Sequence, residues 1–320
     1  MQSLATQSVI LFSQRFDSYS SAVNAFKGVI PHDFTCSGRS FTVNQVKRVS
    51  EFSPFRASVI HQYGAQFVTD KTNQYVKKIA YQLKDKVLEL AHEAAALEVL
   101  SDTGAVPLRI EVEFERGTSE ICRLRTLVME KVGERIVNLK SYRGTRALRK
   151  ELVSTIGIAA INLLEKVHER GLVHGDVHEG NFVLDPSQPA QTLRIIDFGN
   201  ARPYIDPTTG NHVAETGAPH HLQDPIYLSV FELQGSAVSR RDDLFRLAEL
   251  LIFLVSDNRV ISGVGRNELL DAKLNRRADQ RVPVEFREFY MRTMKLGFDE
   301  TPNYEKYRSL LTELATRPRK

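Results

Sequence analysis

The chain has no tryptophan and almost no cysteine: only Cys36 and Cys122 are present, far apart and without a Cys-x-x-Cys pair. A disulfide framework and a thiolate metal centre are therefore excluded as organising devices, and a reducing interior compartment is expected. No apolar run approaches the eighteen or so residues that span a bilayer, and the opening MQSLATQSVILFSQRF has neither the positive region nor the long apolar core of a leader. The expectation is a soluble intracellular protein of cytoplasm or nucleus, with no membrane partner. Long blocks of like charge are missing too: 43 basic residues are scattered among 39 acidic ones, for a net charge of +4 and a pI near 9.0. Such a balance does not indicate nucleic acid. Internal repeats and low-complexity linkers are also absent, and the sequence is silent on oligomeric state.

What is present is an ordinary globular mixture, 42% apolar and 26% charged over 320 residues, enough for one large core or two modest ones. Residues 1–40 are mixed and Ser-rich with no period, and read as an extension of unknown role. From about Val43 to Val132, short β-rich runs follow one another: VNQVKRV, ASVIHQY, NQYVKKIAY, RIEVEF and RTLVMEKV. One helix interrupts them, because Val87, Leu90, Ala94 and Leu97 recur at helical steps within an Ala- and Leu-rich stretch over 83–100. Beyond Gly133 helices dominate. Leu152, Ile156, Ala160, Leu163 and Val167 make an amphipathic stripe that stops at Gly171, and LAELLIFLV is apolar nearly all round, as befits a helix in mid-domain. The expected class is α+β in two lobes: a small antiparallel-sheet lobe with one helix over 41–132 and a larger helical lobe over 133–320. A short crossover near Glu130–Glu134 should join them, with the binding cleft between.

Polar chemistry concentrates in LVHGDVHEGNFVLD, where a loop presents His174, Asp176, His178 and Asn181 between apolar flanks. Downstream, LRIIDFGNARPY delivers Asp197 from an apolar strand onto a Phe-Gly turn. Phosphoryl transfer needs one carboxylate to orient the attacking hydroxyl, with a second carboxylate and an amide oxygen to hold magnesium. Asp176, Asp197 and Asn181 suit those roles. A rival reading takes the alternating His174, Asp176 and His178 as zinc ligands on a strand. Gly175 and Gly180 favour a loop instead. The phosphotransfer reading further requires an upstream lysine and a glutamate on the one helix of the sheet lobe. Strand alternation selects Lys78 over Lys77, because Lys78 shares a face with Val76. Glu93, between Leu90 and Leu97, falls on the buried side of the helix, where it needs a cation.

With these residues in place, the chain resembles the eukaryotic protein kinases, and among them the casein kinase one and vaccinia-related kinase group. SRRDDLFRLAELL resembles that group's Ser-Arg-Arg-x-Asp-Leu helix start. PVEFREFYMRTMKLGFDETPNYEKYRSLL resembles its Pro-x-Glu-Phe and Phe-x-x-x-Pro-x-Tyr ending. The resemblance covers about residues 43–315 and implies a bilobal protein-kinase fold, a serine/threonine protein kinase activity, and ATP with Mg2+ or Mn2+. It makes Met129 the gatekeeper and Glu130 to Val132 the adenine-contacting backbone. Asp243 becomes the brace of the catalytic loop, and His174, Phe198 and Leu97 part of an apolar spine. It implies a protein substrate, acidic or pre-phosphorylated, that Arg202, Arg240 and Arg241 could receive. Three departures stand out. RVSEFSPFRASVI, with Ser50, Ser53 and Arg56, replaces a glycine-rich loop. Gly175 replaces the usual Arg before the catalytic Asp. His178 replaces the usual Lys, which is similar to small-molecule kinases. A pseudokinase and a small-molecule phosphotransferase are thus the alternatives to an active protein kinase.

Overall fold

A computed structural model of the chain describes residues 33–36, 39–42, 63–70, 75–83, 89–114, 122–142, 148–206, 208–216, 225–256, 265–275 and 282–316. It divides into two compact units, residues 1–98 with 107–131 and residues 99–106 with 132–320.

The first unit is an antiparallel sheet. Its strands are β1 (Asp33–Cys36), β2 (Arg39–Thr42), β3 (Tyr63–Asp70), β4 (Tyr75–Leu83), β5 (Arg109–Phe114) and β6 (Cys122–Glu130), in the spatial order β1-β2-β3-β4-β6-β5. One helix, α1 (Glu89–Val99), separates β4 from β5. RIEVEF forms β5 over the residues its apolar and charged alternation predicts. The end of β6 is buried without alternation at Leu127, Val128 and Met129, as in a strand covered on both faces. The sheet begins inside the segment read as an extension, because β1 and β2 pair from Asp33↔Thr42 to Cys36↔Arg39. Strand β3, YGAQFVTD, was not expected, since Gly64, Ala65 and Gln66 separate its β-favouring Tyr63 from Phe67, Val68 and Thr69. The expected strands over 43–49 and 57–62 and the loop replacing the glycine-rich turn lie outside the described residues.

The second unit is mostly helical. It contains β7 (Glu134–Arg135), α2 (Val137–Tyr142), α3 (Lys150–Glu169), β8 (Leu172–Val173), β9 (Phe182–Leu184), α4 (Pro189–Thr192), β10 (Arg194–Ile195) and β11 (Arg202–Pro203). Helices α5 (Val230–Leu233), α6 (Arg240–Ser256), α7 (Arg266–Asn275), α8 (Val284–Thr293) and α9 (Tyr304–Thr316) follow. Of the stripe predicted on α3, Ile156, Ala160, Leu163 and Val167 are buried and Leu152 is half-buried, while Val153 and Leu164 beside it are fully buried, each larger buried side chain contributing about 1.5–3 kcal/mol. A Cβ on Gly157 would lie 2.6 Å from a methyl of Leu311 and 3.1 Å from both methyls of Leu251, so leucine side chains of α9 and α6 fill the space beside this glycine. At the centre runs α6, with Leu244, Phe245, Leu247, Leu251 and Leu254 fully buried. The expected mid-domain helix is this one. Two small antiparallel sheets, β10-β9-β7 and β11-β8, carry the chain across the surface of this core and fix the ends of its loops. The architecture is the α+β protein-kinase-like fold, small antiparallel sheets with a larger helical region.

Candidate active site

The polar loop of the second unit starts where α3 ends. Gly171 turns the chain at φ 75°, β8 pairs with β11, and residues 174–181 then cross the buried helix α6. Asp243 of α6 holds that loop by its backbone. Its carboxylate accepts the His174 N–H at 2.7 Å on Oδ2 and the Gly175 N–H at 2.9 Å on Oδ1. His168 of α3 adds a third contact, Nε2 to Asp243 Oδ2 at 3.0 Å, and its Nδ1 lies 2.6 Å from the Tyr304 hydroxyl. Burial alone would push the Asp243 carboxyl up. The His168 hydrogen bond, with the charges of His168 and Arg246, outweighs it and holds the carboxyl below its ordinary value. The tyrosine of the Phe-x-x-x-Pro-x-Tyr ending thus closes a chain from Tyr304 through His168 and Asp243 to the loop. The spacing of that motif could have suggested a brace, but nothing local connects it to His168.

His174 is fully buried, and its ring meets Phe198 edge to face at 4.7 Å. Its Nδ1 accepts the Asp176 N–H at 3.2 Å, so its Nε2 donates to the Ile196 carbonyl at 3.1 Å. Desolvation by burial, opposed by nearby carboxylates, lowers its pKa and keeps the ring neutral. With both nitrogens so used, His174 has no lone pair for a metal, and the zinc reading of the His174, Asp176 and His178 alternation is corrected. Among the described residues no group of three or more His, Cys, Asp or Glu could hold a metal ion by itself. His212 is packed instead, its ring 4.7 Å from Phe298 and 5.4 Å from Tyr204, while His220 and His221 lie outside the described residues.

Asp176, 6% exposed, has Asn200 Nδ2 at 3.4 Å from Oδ2 and His178 Nε2 at 3.7 Å from Oδ1. Asn200, the residue after the Asp-Phe-Gly, was not singled out from sequence; its place beside a conspicuous motif was the signal. Asn181 donates from Nδ2 to the Asp176 carbonyl at 2.8 Å, which leaves its amide oxygen as the atom for a cation. The Ile196 N–H donates to the Asn181 carbonyl at 2.8 Å, tying the segment before Asp197 to the loop. Asp197 itself stands at φ 67°, ψ 68°, and among the described residues no other non-glycine has a positive φ. A left-handed aspartate is strained backbone of the kind that collects at functional sites. Residues 174, 176, 178, 181 and 197 are therefore brought together around one loop and one turn.

Gly175 is explained by geometry. It has φ 72°, and a Cβ there would lie 2.7 Å from the Asn200 carbonyl oxygen. Arg240 and Arg241, expected to meet substrate, are corrected: both are buried. Arg240 donates to the Asp299 carbonyl at 2.7 Å and to Thr301 Oγ1 at 3.1 Å, and it lies 4.4 Å over the Tyr204 ring. Arg241 pairs with Glu215 at 2.7 Å and covers the Phe231 ring at 3.8 Å. Arg202 is half-buried, its Nε 3.4 Å from the Asn200 carbonyl.

In the first unit, Lys78 on β4 pairs in register with Phe67 and Leu127, and Val76 pairs with Met129. The Lys78 side chain lies outside the described ones, and with it the expected ion pair to Glu93. Glu93 itself is 2% exposed on α1, and Leu97 is 1% exposed. Met129 is buried near the end of β6, and the Glu130 N–H donates to the Leu108 carbonyl at 2.9 Å. Val132, half-buried, opens the second unit's main segment.

The donor set fits a hard divalent cation. Asp197 and Asn181 supply a carboxylate and an amide oxygen, too few for an all-protein cage and suited to Mg2+ completed by water and phosphate oxygens. Among the described residues no helix is long and apolar enough to cross a membrane.

The family model of the ABC1 atypical kinase-like domain matches residues 49–216, just over half of the chain. A casein kinase I homolog of Kluyveromyces lactis is 30% identical over 197 residues, 58% of this chain and 37% of its own length. A casein kinase 1-like protein of Oryza sativa subsp. japonica is 33% identical over 202 residues, 60% of this chain and 28% of its own. Casein kinase I homolog 2 of Saccharomyces cerevisiae is 26% identical over 240 residues, 71% and 43% respectively. The chain spans less than half the length of these curated relatives. Identities this low support the protein-kinase-like superfamily and a kinase-like function, with the general use of ATP and a divalent metal that such a domain implies, but no particular casein kinase group. The chain belongs to the ABC1 atypical kinase-like domain family.

Proposed function

We propose that the chain is an ATP-dependent serine/threonine protein kinase, related to the casein kinase one and vaccinia-related kinase group, that transfers the γ-phosphate to a protein hydroxyl. The observation that carries this reading is the coupling of Asp176 to Asn181. One amide group donates to the backbone of the carboxylate that would receive the hydroxyl proton and turns its oxygen to the cation. Asp176 orients the acceptor hydroxyl and takes its proton as the oxygen–phosphorus bond forms and the bond from the γ-phosphorus to the bridging oxygen breaks, with ADP leaving. Asn181 and Asp197 would hold Mg2+ or Mn2+, which would supply neutralisation of the phosphate charge. In the sheet unit, Lys78 positions the α- and β-phosphates and Glu93 orients Lys78. The backbone from Glu130 to Val132 contacts adenine beside Met129. An acidic or pre-phosphorylated acceptor, which the resemblance to the casein kinase one group implies, would be met by residues other than the buried Arg240 and Arg241.

One observation favours a second reading. His178 faces Asp176 at 3.7 Å, where protein kinases keep a lysine, and His-Gly-Asp followed by His is similar to small-molecule kinases. A small alcohol or sugar acceptor follows from that reading.

The test incubates the purified chain with labelled ATP and magnesium or manganese, offering casein, the chain itself and a panel of small alcohols and sugars. Asp176→Ala and Asp197→Ala variants run beside it and should be slower by ~10²–10³. Label on protein supports the first reading and label on a small acceptor the second. No label above the variants sinks both and leaves a pseudokinase. Unchanged turnover in Lys78→Met would move the phosphate contact to Lys77.

A further inference from the structure

Two buried cations from different helices grip two consecutive carbonyls in the second unit. Lys273 of α7, 1% exposed, donates from Nζ to the Ile226 carbonyl at 3.0 Å. Arg246 of α6, 2% exposed, donates from Nε to the Tyr227 carbonyl at 2.9 Å. Each is neutralised where it lies. Glu249 Oε2 is 3.2 Å from Lys273 Nζ, and both Glu232 oxygens are 2.8 Å from Arg246 Nη2. Burying a lysine and an arginine is costly unless they are paired, and here both pairs end on one short turn, Pro225–Tyr227.

That turn presents the Tyr227 ring to the catalytic loop. Its centroid lies 4.7 Å from that of His178, with the planes tilted by 34°. On the loop side, His178 Nδ1 accepts the Gly180 N–H at 3.0 Å, so the neutral imidazole carries its proton on Nε2, the atom 3.7 Å from Asp176 Oδ1. Gly180 leaves the space this requires, since a Cβ there would stand 2.7 Å from His178 Cε1. The imidazole is thus fixed in tautomer by the loop and in tilt by the tyrosine.

We propose that Tyr227 is a positioning residue for phosphotransfer: its ring holds His178 so that Nε2–H faces the Asp176 carboxylate and sets the direction in which that carboxylate addresses the acceptor hydroxyl. The inference rests on the phosphotransferase reading above, and it holds for a protein or a small acceptor. Lys273 and Arg246 act at one remove, by fixing the backbone carbonyls on either side of the Tyr227 Cα. A small misorientation of a reacting group commonly costs up to ~10² in rate, and the effect should fall on kcat, since Tyr227 belongs to the unit that carries Asp176.

The experiment compares Tyr227→Leu with Tyr227→Phe in the full chain. The leucine variant should lose ~10- to 100-fold in kcat with the KM for ATP unchanged, and the phenylalanine variant, which keeps a ring, should recover most of it. In parallel, nitrogen and carbon NMR of histidine-labelled protein, with His178→Gln to assign its signal among the nine histidines, reads the imidazole directly. The wild type should show a neutral ring protonated on Nε2. Its ring-current shift should be lost in the leucine variant and kept in the phenylalanine one. An unchanged kcat in Tyr227→Leu, a phenylalanine variant no better than leucine, or a His178 signal indifferent to residue 227 would each overturn the proposal. Should the wild type transfer no phosphate above Asp176→Ala, the functional reading fails, and the NMR comparison still decides whether Tyr227 sets His178.

Discussion

Gly175 and Asn200 approach so closely that a carbon added at Gly175 would lie 2.7 Å from the Asn200 carbonyl oxygen. The loop before Asp176 and the turn after Asp197 are therefore in backbone contact, and the arginine usual in protein kinases cannot stand at position 175 without moving one of them. Gly175→Ala should cost about 1–3 kcal/mol from the positive φ, with a further loss from the clash. Gly171→Ala is the control, because it has φ 75° and nothing within 4 Å of the added carbon. Chemical denaturation of both variants should find Gly175→Ala clearly the less stable. Equal losses would mean that the Asn200 backbone yields freely.

Removing the far end of the brace is the second test. Tyr304→Phe deletes the hydroxyl 2.6 Å from His168 Nδ1 and leaves a buried nitrogen without its partner, at a cost of about 1–2 kcal/mol. The denaturation midpoint should fall accordingly, while the aromatic packing of α9 is preserved. No change in midpoint would show that the hydroxyl contributes nothing to holding His168.

Stability should also respond to pH through Asp242, which is fully buried beside Glu232. Burial first, and the Glu232 charge second, raise its carboxyl from 3.8 to about 7, although hydrogen bonds from Ser229 and Ser239 and the charge of Arg246 oppose the rise. A carboxyl raised in the folded state binds its proton there more tightly than in the unfolded chain. Its contribution is therefore full below 3.8 and is lost as pH climbs through about 7. Relative to Asp242→Asn, which stays neutral, the wild type should lose stability from pH 4 to 7 at up to about 1.4 kcal/mol per unit. Parallel pH profiles for the two proteins would contradict this.

Arg246→Met tests the buried pair itself. It strips Glu232, 2% exposed, of a bidentate partner and should cost about 3–5 kcal/mol, since a carboxylate would be left uncompensated in the core. Adding Glu232→Gln to that variant should return part of the loss, as both charges would then be gone. Thermal unfolding of the single and double variants measures the difference.

Much of the loop chemistry was legible because it is local. Asp176, Asn181 and Asp197 lie in short runs whose polar residues stand out between apolar flanks, and α3 and β5 follow clean periods. What escaped is what the chain joins across distance. His168 was not singled out from sequence, yet it meets Asp243 and Tyr304, 75 and 136 residues away. Arg240 and Arg241 read as basic residues able to receive an acidic substrate. Their burial depends on Asp299, Glu215 and Phe231, which no sequence window contains together with them. Strand β3 was missed because Gly64 and Ala65 offer little side-chain surface, and its pairing with β4 supplies the order instead.

The hold that Asp243 takes on the His174 and Gly175 amides has a consequence for how the molecule comes apart. Those two N–H groups cannot exchange with solvent until α6 releases its carboxylate, and α6 is the most deeply buried helix described. Hydrogen exchange at the start of the catalytic loop should therefore proceed only by opening of the core itself, which makes this stretch of loop part of the last cooperative unit to unfold.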